Sequence, residues 1–324
     1  MKRWLIGGVC CLTLATPFSA LAQAAQQQDG LYWLGRVVSA VREQSYSGTF
    51  VYRNGAQTES SRITHLVENG REYERLEVLD GSPREVIRSN DEIKCYLPES
   101  RTLIIEKRAR QSSFPVMLPT SLAGLTEYYS IRKGAIERVA ERDSQTIRLE
   151  PRDDQRYGHQ FWVDLDSGLP LKAGTLNEYG ETVETFAFTQ LKVGAVFDRD
   201  AFKSRFDARS AGWRVLNIQT TGARGMEDAW SFKVQVPGFR KLAGMKRRGG
   251  AGDADGTHVV FSDGLAAISV FIETLPEHVE PGLSALGAVN VYQRVLGNHL
   301  IVVMGEVPRA TLKKFGDGIE PRRR

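Results

Sequence analysis

The 324-residue chain has few cysteines, and this scarcity excludes two kinds of architecture. Of its three cysteines, Cys10 and Cys11 lie in an apolar stretch close to the N-terminus. Cys95 alone remains in the rest of the chain. Because one thiol can form neither an internal disulfide nor a thiolate cluster, a disulfide-stabilised scaffold and a zinc–thiolate site are both excluded.

The chain also lacks the residue spacings of common catalytic and metal sites. Its five histidines are dispersed, and none belongs to an H-x-x-E-H or C-x-x-C pattern. The G-x-S-x-G nucleophile elbow is absent from the sequence as well. Asp164 and Asp166 share a strand face, but Asp166 is better explained as the opener of a turn at Ser167–Gly168. The sequence therefore predicts a protein that is not an enzyme and that uses no cofactor and no metal.

An excess of one charge is missing too, and long apolar runs are rare. The formal net charge is +4, and removal of Lys2 and Arg3 with the N-terminal segment leaves +2. Nucleic-acid binding requires a concentrated basic surface, which a nearly balanced chain does not provide. Beyond the N-terminal segment we find no apolar run long enough to span a bilayer. Nucleic acid is therefore excluded as a partner.

Residues 1–22 have the three parts of a secretory signal peptide. Lys2 and Arg3 form a charged start, residues 5–15 are apolar, and Ala20–Ala22 gives an A-x-A cleavage site. The cysteines of this segment do not follow a lipobox, so lipid anchoring is not expected. The mature protein is therefore expected to start at Gln23 and to be a soluble protein of the periplasm.

Three consecutive strands between residues 157 and 190 are the clearest structural signal in the sequence. Phe161, Val163 and Leu165 alternate with other side chains at the period of a strand with two different faces. Turn residues at Asp166–Gly168 then reverse the chain. Such a meander favours a large antiparallel sheet that holds a ligand or a partner.

Further strands and three helices complete the predicted elements. Apolar residues spaced from Leu31 to Val41 predict a helix capped by Asp29, Asp198–Phe206 predicts a short helix, and Pro308–Phe315 predicts a third helix. One helix against a long sheet is the economical assembly for the first part of the chain. The other predicted strands cover residues 46–52, 61–67, 72–79, 84–89, 92–97, 103–107 and 146–150, and then 230–236, 258–262, 267–273, 288–294 and 300–306.

These elements predict two domains of α+β class. Residues 23–209 are predicted to form a large sheet domain, and residues 210–228, which lose periodicity, are interpreted as the linker. Residues 229–318 are predicted to form a smaller α+β domain. Residues 319–324 are interpreted as a basic tail.

An apolar stretch between two prolines interrupts the strand pattern at residues 114–119. Proline lacks a backbone donor, so this segment suits neither a central strand nor a regular helix. It is either a loop that plugs the open side of the sheet or a mobile lip that contacts an acyl chain or a partner. For the second alternative, the contact residues are Phe114, Val116, Met117 and Leu118.

Two groups of basic residues are candidates for contact with anions. One group flanks the apolar stretch, and the other lies in the glycine-rich segment 244–256, which has neither P-loop nor EF-hand spacing. The glycine-rich segment is either a flexible loop between strands or a contact for anionic lipid or an acidic partner. The candidate residues are Arg101, Arg108, Arg110, Lys246, Arg247 and Arg248.

Six segments, in order along nearly the whole mature chain, carry a resemblance to a known family. They are Tyr46–Tyr52 (YSGTFVY), Trp162–Lys172 (WVDLDSGLPLK), Tyr179–Thr182 (YGET), Val236–Phe239 (VPGF), Phe261–Ile272 (FSDGLAAISVFI) and Gly305–Thr311 (GEVPRAT). Each alone is a weak signal, but together they resemble the RseB/MucB family of periplasmic stress regulators.

The resemblance implies a fold and a function. The fold would be a half-open antiparallel β-barrel with helices, like the LolA/LolB lipoprotein carriers, followed by a smaller α+β domain. The function would be to bind the periplasmic domain of a membrane-anchored RseA/MucA-type anti-sigma factor and to shield it from the site-1 protease. The envelope-stress sigma factor of the sigma-E/AlgU type would thereby be restrained, and lipopolysaccharide or an acyl lipid would release the regulator.

Two alternatives accompany this reading. A periplasmic lipoprotein or lipid carrier would use the same N-terminal fold, although it has no need of the second domain. An exported hydrolase lacks any nucleophile and base signature in the sequence. The oligomeric state, including a homo-oligomer, stays open.

Overall fold

The computed structural model describes residues 18–107, 118, 122–219, 229–233, 236–247 and 256–322. Within these ranges, the first part of the chain forms a helix, a short helical turn and a large sheet. The α-helices are α1 (Phe18–Glu43) and α2 (Leu125–Tyr128), and two 3-10 helices lie at Arg199–Phe202 and Asp207–Arg209, within and just after the segment predicted as a short helix. The strands are β1 (Tyr46–Asn54), β2 (Gln57–Glu68), β3 (Arg71–Val78), β4 (Glu85–Ser89), β5 (Glu92–Leu97), β6 (Thr102–Lys107), β7 (Tyr129–Val139), β8 (Arg142–Pro151), β9 (Gly158–Asp164), β10 (Pro170–Leu176), β11 (Thr182–Val193) and β12 (Arg214–Gln219).

The strands of the first part join in one open sheet. Their order is β12-β6-β5-β4-β3-β2-β1-β11-β10-β9-β8-β7, so β12 and β7 occupy the two edges. Neighbouring strands are antiparallel except β12, which runs parallel to β6. Pairing of β1 with both β2 and β11 joins the early strands to the predicted meander β9–β11. The predicted large antiparallel sheet is therefore confirmed.

Helix α1 covers one face of this sheet, as its apolar stripe predicts. Leu34, Val37 and Val41 are buried in the same cluster as Ile131 and the aromatic residues of the sheet. The helix approaches closely because residue 30 is glycine: a Cβ there would come within 2.5 Å of the Ile131 side chain. The alanine-rich segment before residue 29 continues the helix back to Phe18, so the prediction of Asp29 as its N-cap is wrong.

The second part of the chain forms a separate six-stranded sheet with a helix packed on it. The strand order is β14-β15-β16-β19-β18-β17, and β13 pairs with β20 in a small additional ladder. Leu312 and Phe315 of the helix are buried against Ile301 and Val303 of the sheet. The elements are β13 (Trp230–Phe232), β14 (Arg240–Arg247), β15 (Gly256–Ser262), β16 (Ala267–Thr274), β17 (Gly282–Leu286), β18 (Val289–Leu296), β19 (His299–Gly305), α3 (Arg309–Asp317) and β20 (Ile319–Pro321).

Two segments outside the predicted domains take part in the sheets. Residues 214–219, within the predicted linker, form β12 and bond to β6 of the large sheet. Residues 319–321, within the predicted tail, form β20 and bond to β13 of the second part. Among the described residues, no helix combines the length and the apolar character needed to span a membrane.

Candidate functional site at the domain interface

A buried arginine joins the two parts of the chain. Arg156 lies in the bend between β8 and β9, and its side chain has no exposed surface. Its guanidinium donates to Asp263 at 2.7 Å and to both carboxylate oxygens of Asp153 at 3.0 Å. Asp263 opens the turn between β15 and β16, where it also accepts from the backbone N–H groups of Leu265 and Ala266 at 2.9 Å. The arginine therefore bridges a carboxylate from each domain.

Aromatic rings enclose this ion pair from both domains. The Arg156 guanidinium carbon lies 4.7 Å from the ring centre of Tyr128 and 5.3 Å from that of Phe239. Tyr129 donates its hydroxyl proton to Asp263 at 3.3 Å, and burial raises the pKa of that hydroxyl well above its ordinary value. A buried guanidinium is stable only when its donors are satisfied, as they are here by two carboxylates and the Pro237 carbonyl.

Two further contacts hold the domains together beside this cluster. The Asn54 side-chain oxygen, at the end of β1, accepts from the backbone N–H of Ala288 at 2.6 Å. Asn290 of β18 is buried and donates to the Tyr157 hydroxyl at 2.8 Å. These two bonds and the Arg156–Asp263 pair cross from the large domain to the second domain and define the arrangement of the domains in this structure.

A cavity of about 380 Å³ opens beside the interface. It lies over the face of the large sheet that helix α1 also covers. The strand pairing determines which side chains line the cavity, because residues directly opposite each other in antiparallel strands point to the same face of the sheet. One row across the strands consists of Phe161, Ala173, Phe186 and Tyr52. The next row, nearer the second domain, consists of His159, Thr175 and Glu184. The cavity is thus apolar along one row and polar along the other.

The polar row meets a carboxyl group from the second domain. Glu306, which follows β19, lines the cavity and faces Glu184 of β11. Thr175 donates to Glu184 at 3.1 Å, and Tyr52 donates to the other oxygen of that carboxylate. Burial, together with the neighbouring Glu184, raises the pKa of Glu306 to about 8. Near neutral pH, Glu306 is therefore protonated and can donate to Glu184 across the domain boundary.

His159 adds an acceptor to this end of the cavity. It is buried at the start of β9, and its Nε2 has no hydrogen-bond partner. Burial lowers the pKa of His159 to about 4, so the ring is neutral near pH 7. Its ring stacks on Phe161 at a centroid distance of 6.4 Å. The site therefore combines aromatic walls with a polar end made of two carboxyls and a neutral imidazole.

The predicted contact residues lie elsewhere or outside the described residues. Leu118 is buried in the same apolar cluster as helix α1, and Arg101 is exposed in the turn between β5 and β6. Lys246 and Arg247 lie on β14. Phe114, Val116, Met117, Arg108, Arg110 and Arg248 lie outside the described residues.

The interface was not predicted as a site, although several of its residues lie in the segments that carried the resemblance. Tyr52, Phe239, Asp263 and Glu306 all belong to those segments. In the described part of the chain, no group of three or more His, Cys, Asp or Glu side chains is placed to hold a metal ion.

Comparison with known proteins first defines a class, that of sigma factor regulatory proteins. The sigma factor AlgU regulatory protein MucB of Pseudomonas aeruginosa is 33% identical over 92% of this chain and 93% of its own length. The sigma-E factor regulatory protein RseB of Salmonella typhimurium is 27% identical over 94% of each chain. Family models for the MucB/RseB N-terminal domain and C-terminal domain match residues 29–206 and 225–320. The chain belongs to the MucB/RseB family.

Solved structures agree with this assignment. The crystal structure of MucB in complex with MucA(peri) matches with a TM-score of 0.71 and 30% identity, covering 91% of this chain and all of that one. The complex of MucA and MucB from Pseudomonas aeruginosa matches with a TM-score of 0.72 and 30% identity over the same share of this chain. The fold described above is thus the fold of MucB.

Proposed function

We propose that this chain is a periplasmic regulatory protein that binds the periplasmic domain of a membrane-anchored, RseA/MucA-type anti-sigma factor. The observation that carries the proposal is a match that covers 91% of this chain and all of a MucB chain solved together with MucA(peri). Because that match extends over both domains, it favours a partner-binding role over a role for the N-terminal sheet alone. An isolated carrier domain would need only the large sheet.

The proposed location follows from the N-terminal segment. Residues 1–22 act as a cleavable signal peptide, and the mature chain is exported without a lipid anchor. The proposed division is a large domain at residues 23–209 and a smaller domain at residues 229–318, which the two separate sheets support. Strand β12 extends the large sheet into the proposed linker.

We propose further that binding shields the anti-sigma factor from the site-1 protease and so restrains the envelope-stress sigma factor. Lipopolysaccharide or another acyl lipid releases the regulator from this complex. Coupling of this kind requires that lipid and partner favour different arrangements of the two domains. The polar, hydrogen-bonded domain interface supports the proposal, because such interfaces permit rearrangement more readily than large apolar ones.

Contact residues for the two ligands are proposed from their chemistry. Phe114, Val116 and Met117 suit an acyl chain or an apolar partner surface, whereas Leu118 is buried in the core cluster. The basic residues Arg101, Arg108, Arg110, Lys246, Arg247 and Arg248 suit phosphate or carboxylate groups. Reversal of the charges at Lys246 and Arg247 is expected to weaken binding to the anti-sigma domain or to lipopolysaccharide, and unchanged binding to both would remove them from the site.

A protection assay tests the proposed regulation. The periplasmic domain of the anti-sigma factor is incubated with the site-1 protease, with and without the mature chain, and the cleavage rate is followed by electrophoresis. The proposal predicts slower cleavage in the presence of the chain and recovery of the rate when lipopolysaccharide is added. Equal rates with and without the chain would contradict shielding.

A carrier of lipid or lipoprotein is the second candidate, and the apolar row of the cavity favours it. Each buried methylene of an acyl chain contributes about 0.8 kcal/mol, so a few contacts with Phe161 and Phe186 give useful affinity. Transfer of a fluorescent lipid between vesicles separates the candidates. A carrier accelerates transfer, whereas a regulator binds the anti-sigma domain without accelerating it.

A further inference from the structure

At the polar end of the interdomain cavity, hydrogen-bond acceptors outnumber hydrogen-bond donors. Glu184 and Glu306 present four carboxylate oxygens from opposite domains, and only Tyr52 and Thr175 donate to them among the described contacts. A single proton on Glu306 holds the two carboxyls together. When that proton is absent, two like charges face each other at a poorly solvated site, which is strongly unfavourable.

His159 is an independent sign that this end of the cavity accepts a ligand. The residue is only 8% exposed and lines the cavity, and its Nε2 has no partner. A buried polar atom without a partner carries a free-energy penalty, which a hydrogen bond from a ligand would remove. In the tautomer protonated on Nδ1, the neutral imidazole presents Nε2 as an acceptor. The unpartnered Nε2 atom and the two carboxyl groups therefore have the same requirement, which is a hydrogen-bond donor from a ligand.

The remaining walls of the cavity indicate what carries that donor. Phe161, Ala173 and Phe186 line the adjoining row, and Leu265 of the second domain also lines the cavity. A hydrated cation or a small polar donor would leave these walls without contacts. A charged head on an aliphatic stem satisfies both parts of the site.

We propose that the interdomain cavity binds an ammonium group carried on an apolar stem, with the nitrogen between Glu184 and Glu306 and the stem along Phe161 and Phe186. A lysine side chain and an n-alkylammonium ion share this chemistry. The three N–H donors of an ammonium group suit the carboxylate oxygens of Glu184 and Glu306. None of the described residues that line this cavity is among the proposed anti-sigma contacts.

When the ammonium group binds, it takes the place of the proton on the Glu306 carboxyl. The ammonium keeps its three protons, the Glu306 carboxyl releases its proton to solvent, and no covalent bond changes. Because burial and Glu184 raise the pKa of Glu306 to about 8, this release occurs at neutral pH. Affinity therefore increases as the pH rises from about 6 to about 8, by up to about tenfold per pH unit, and then levels off while the amine stays protonated below about 10.4.

The other titratable and charged groups around Glu306 do not change the direction of this pH dependence of the affinity. Glu59 and Arg84 line the cavity as a mutual ion pair at 2.9 Å. Tyr157 lies near both Glu306 and Arg309, and its pKa is raised by burial, so it stays neutral. His159 is neutral throughout this range, because burial lowers its pKa to about 4.

Calorimetry with probes of equal chain length tests the proposal. The mature chain is titrated with n-octylammonium, n-octanoate and n-octanol at about pH 6.5 and about pH 8, in two buffers of different ionisation enthalpy. The proposal predicts saturable binding of n-octylammonium alone, tighter at the higher pH and with proton release. Binding of n-octanoate or n-octanol with equal affinity would overturn it, since that pattern fits a site for acyl chains.

Two matched variants make the test specific. Glu306→Gln keeps the shape of the side chain but removes the charge, and it is expected to weaken n-octylammonium binding at least tenfold at about pH 8. Glu277→Gln, an exposed glutamate of the same domain, is expected to leave it unchanged. Unchanged affinity in Glu306→Gln would overturn the proposal, with circular dichroism verifying that both variants are folded.

A competition arm distinguishes the source of the ammonium group. Nα-acetyl-lysine methylamide is titrated against bound n-octylammonium, and displacement supports a protein side chain as the natural occupant. Binding of n-octylammonium without displacement supports a free amphiphilic amine. Binding to the anti-sigma domain is measured separately, so failure of one proposal is recognised independently of the other.

Discussion

The Arg156 guanidinium donates to the Asp263 carboxylate at 2.7 Å, and neither side chain has any surface exposed to solvent. The two residues belong to different domains, so their ion pair is one of the contacts that hold the two domains together. Burial removes both charged groups from water. The pair is nevertheless stable, because Asp153, Tyr129 and backbone groups complete its hydrogen bonds. Removal of one member leaves the others buried without compensation.

Arg156→Met is therefore expected to destabilise the domain interface by about 3 to 5 kcal/mol, because Asp263 keeps its charge in a buried position. Thermal unfolding and small-angle scattering measure the effect as a lower first transition and a larger radius of gyration. Arg132→Met serves as the control, since Arg132 forms an exposed pair with Glu150 that contributes about 0 to 1 kcal/mol. Equal stability of the two variants would contradict the role of the buried pair.

A close backbone contact gives a second prediction for the interface. Gly287 has φ +61°, and a Cβ there would lie 1.7 Å from Asn54 Oδ1. Gly297 has φ +59° in another turn of the same domain, with nothing within 4 Å of its Cβ position. Gly287→Ala is expected to open the interface to limited proteolysis, whereas Gly297→Ala bears only the backbone strain of about 1 to 2 kcal/mol. Identical digestion patterns would exclude a tight contact at Gly287.

A buried aspartate at the end of β9 predicts a pH-dependent contribution to stability. Burial opposes ionisation of Asp164, but hydrogen bonds from Arg142 and Ser167 outweigh it and lower the pKa of Asp164. Its contribution is therefore present above about pH 4, the ordinary value of an aspartate, and is lost as the pH falls through the lowered pKa. Asp164→Asn is expected to reduce the free energy of unfolding by about 2 to 3 kcal/mol at neutral pH and by less at about pH 2.

Asp166→Asn is the natural control for that variant. Asp166 stands two residues further along the turn, and its side chain is 88% exposed. Its substitution should change the free energy of unfolding by no more than about 0.5 kcal/mol. Urea titrations at both pH values make the comparison, and a loss in Asp164→Asn that does not depend on pH would rule out the electrostatic explanation.

The Glu306 carboxyl predicts a pH dependence of opposite sign in the absence of any ligand. Its pKa is raised to about 8 in the folded protein, against about 4.3 in an unfolded chain. Between these values the folded state holds the extra proton, so stability falls as the pH rises. Glu306→Gln cannot titrate and should show a flatter decline in melting temperature between about pH 5 and about pH 8.5 than the wild type.

Glu74 provides the necessary check on that comparison. Burial raises the pKa of Glu74 to about 7, so it adds a decline of the same sign in both proteins. The difference between wild type and Glu306→Gln removes this shared part, and Glu277→Gln should follow the wild type. Parallel curves for wild type and Glu306→Gln would mean that Glu306 ionises normally.

Local patterns in the sequence predict the framework of this fold well. The predicted meander corresponds to β9, β10 and β11, because alternation and turn residues are local properties. The strand β7 was not predicted, since its middle is exposed and rich in charge, which weakens the alternation. The turn after β9 is held by Asp164, which accepts from the Ser167 backbone N–H at 3.0 Å, and not by Asp166 as predicted.

The interface could not be predicted in the same way. Arg156 and Asp263 are separated by more than a hundred residues, and an isolated arginine in a polar bend is indistinguishable from a surface residue in the sequence. The pKa of Glu306 likewise is raised by burial and by the neighbouring Glu184, and both follow from the fold alone. The segments VPGF, FSDG and GEVP, which carried the family resemblance, contain interface residues, but nothing in the sequence provided a physical reason to place them at an interface.

Calorimetry with the two purified proteins tests most directly whether this chain binds the periplasmic domain of an anti-sigma factor. We expect saturable binding with a dissociation constant of about 1 μM or lower, and weaker binding when lipopolysaccharide is present. Absence of binding heat and of co-elution at about 100 μM would contradict it.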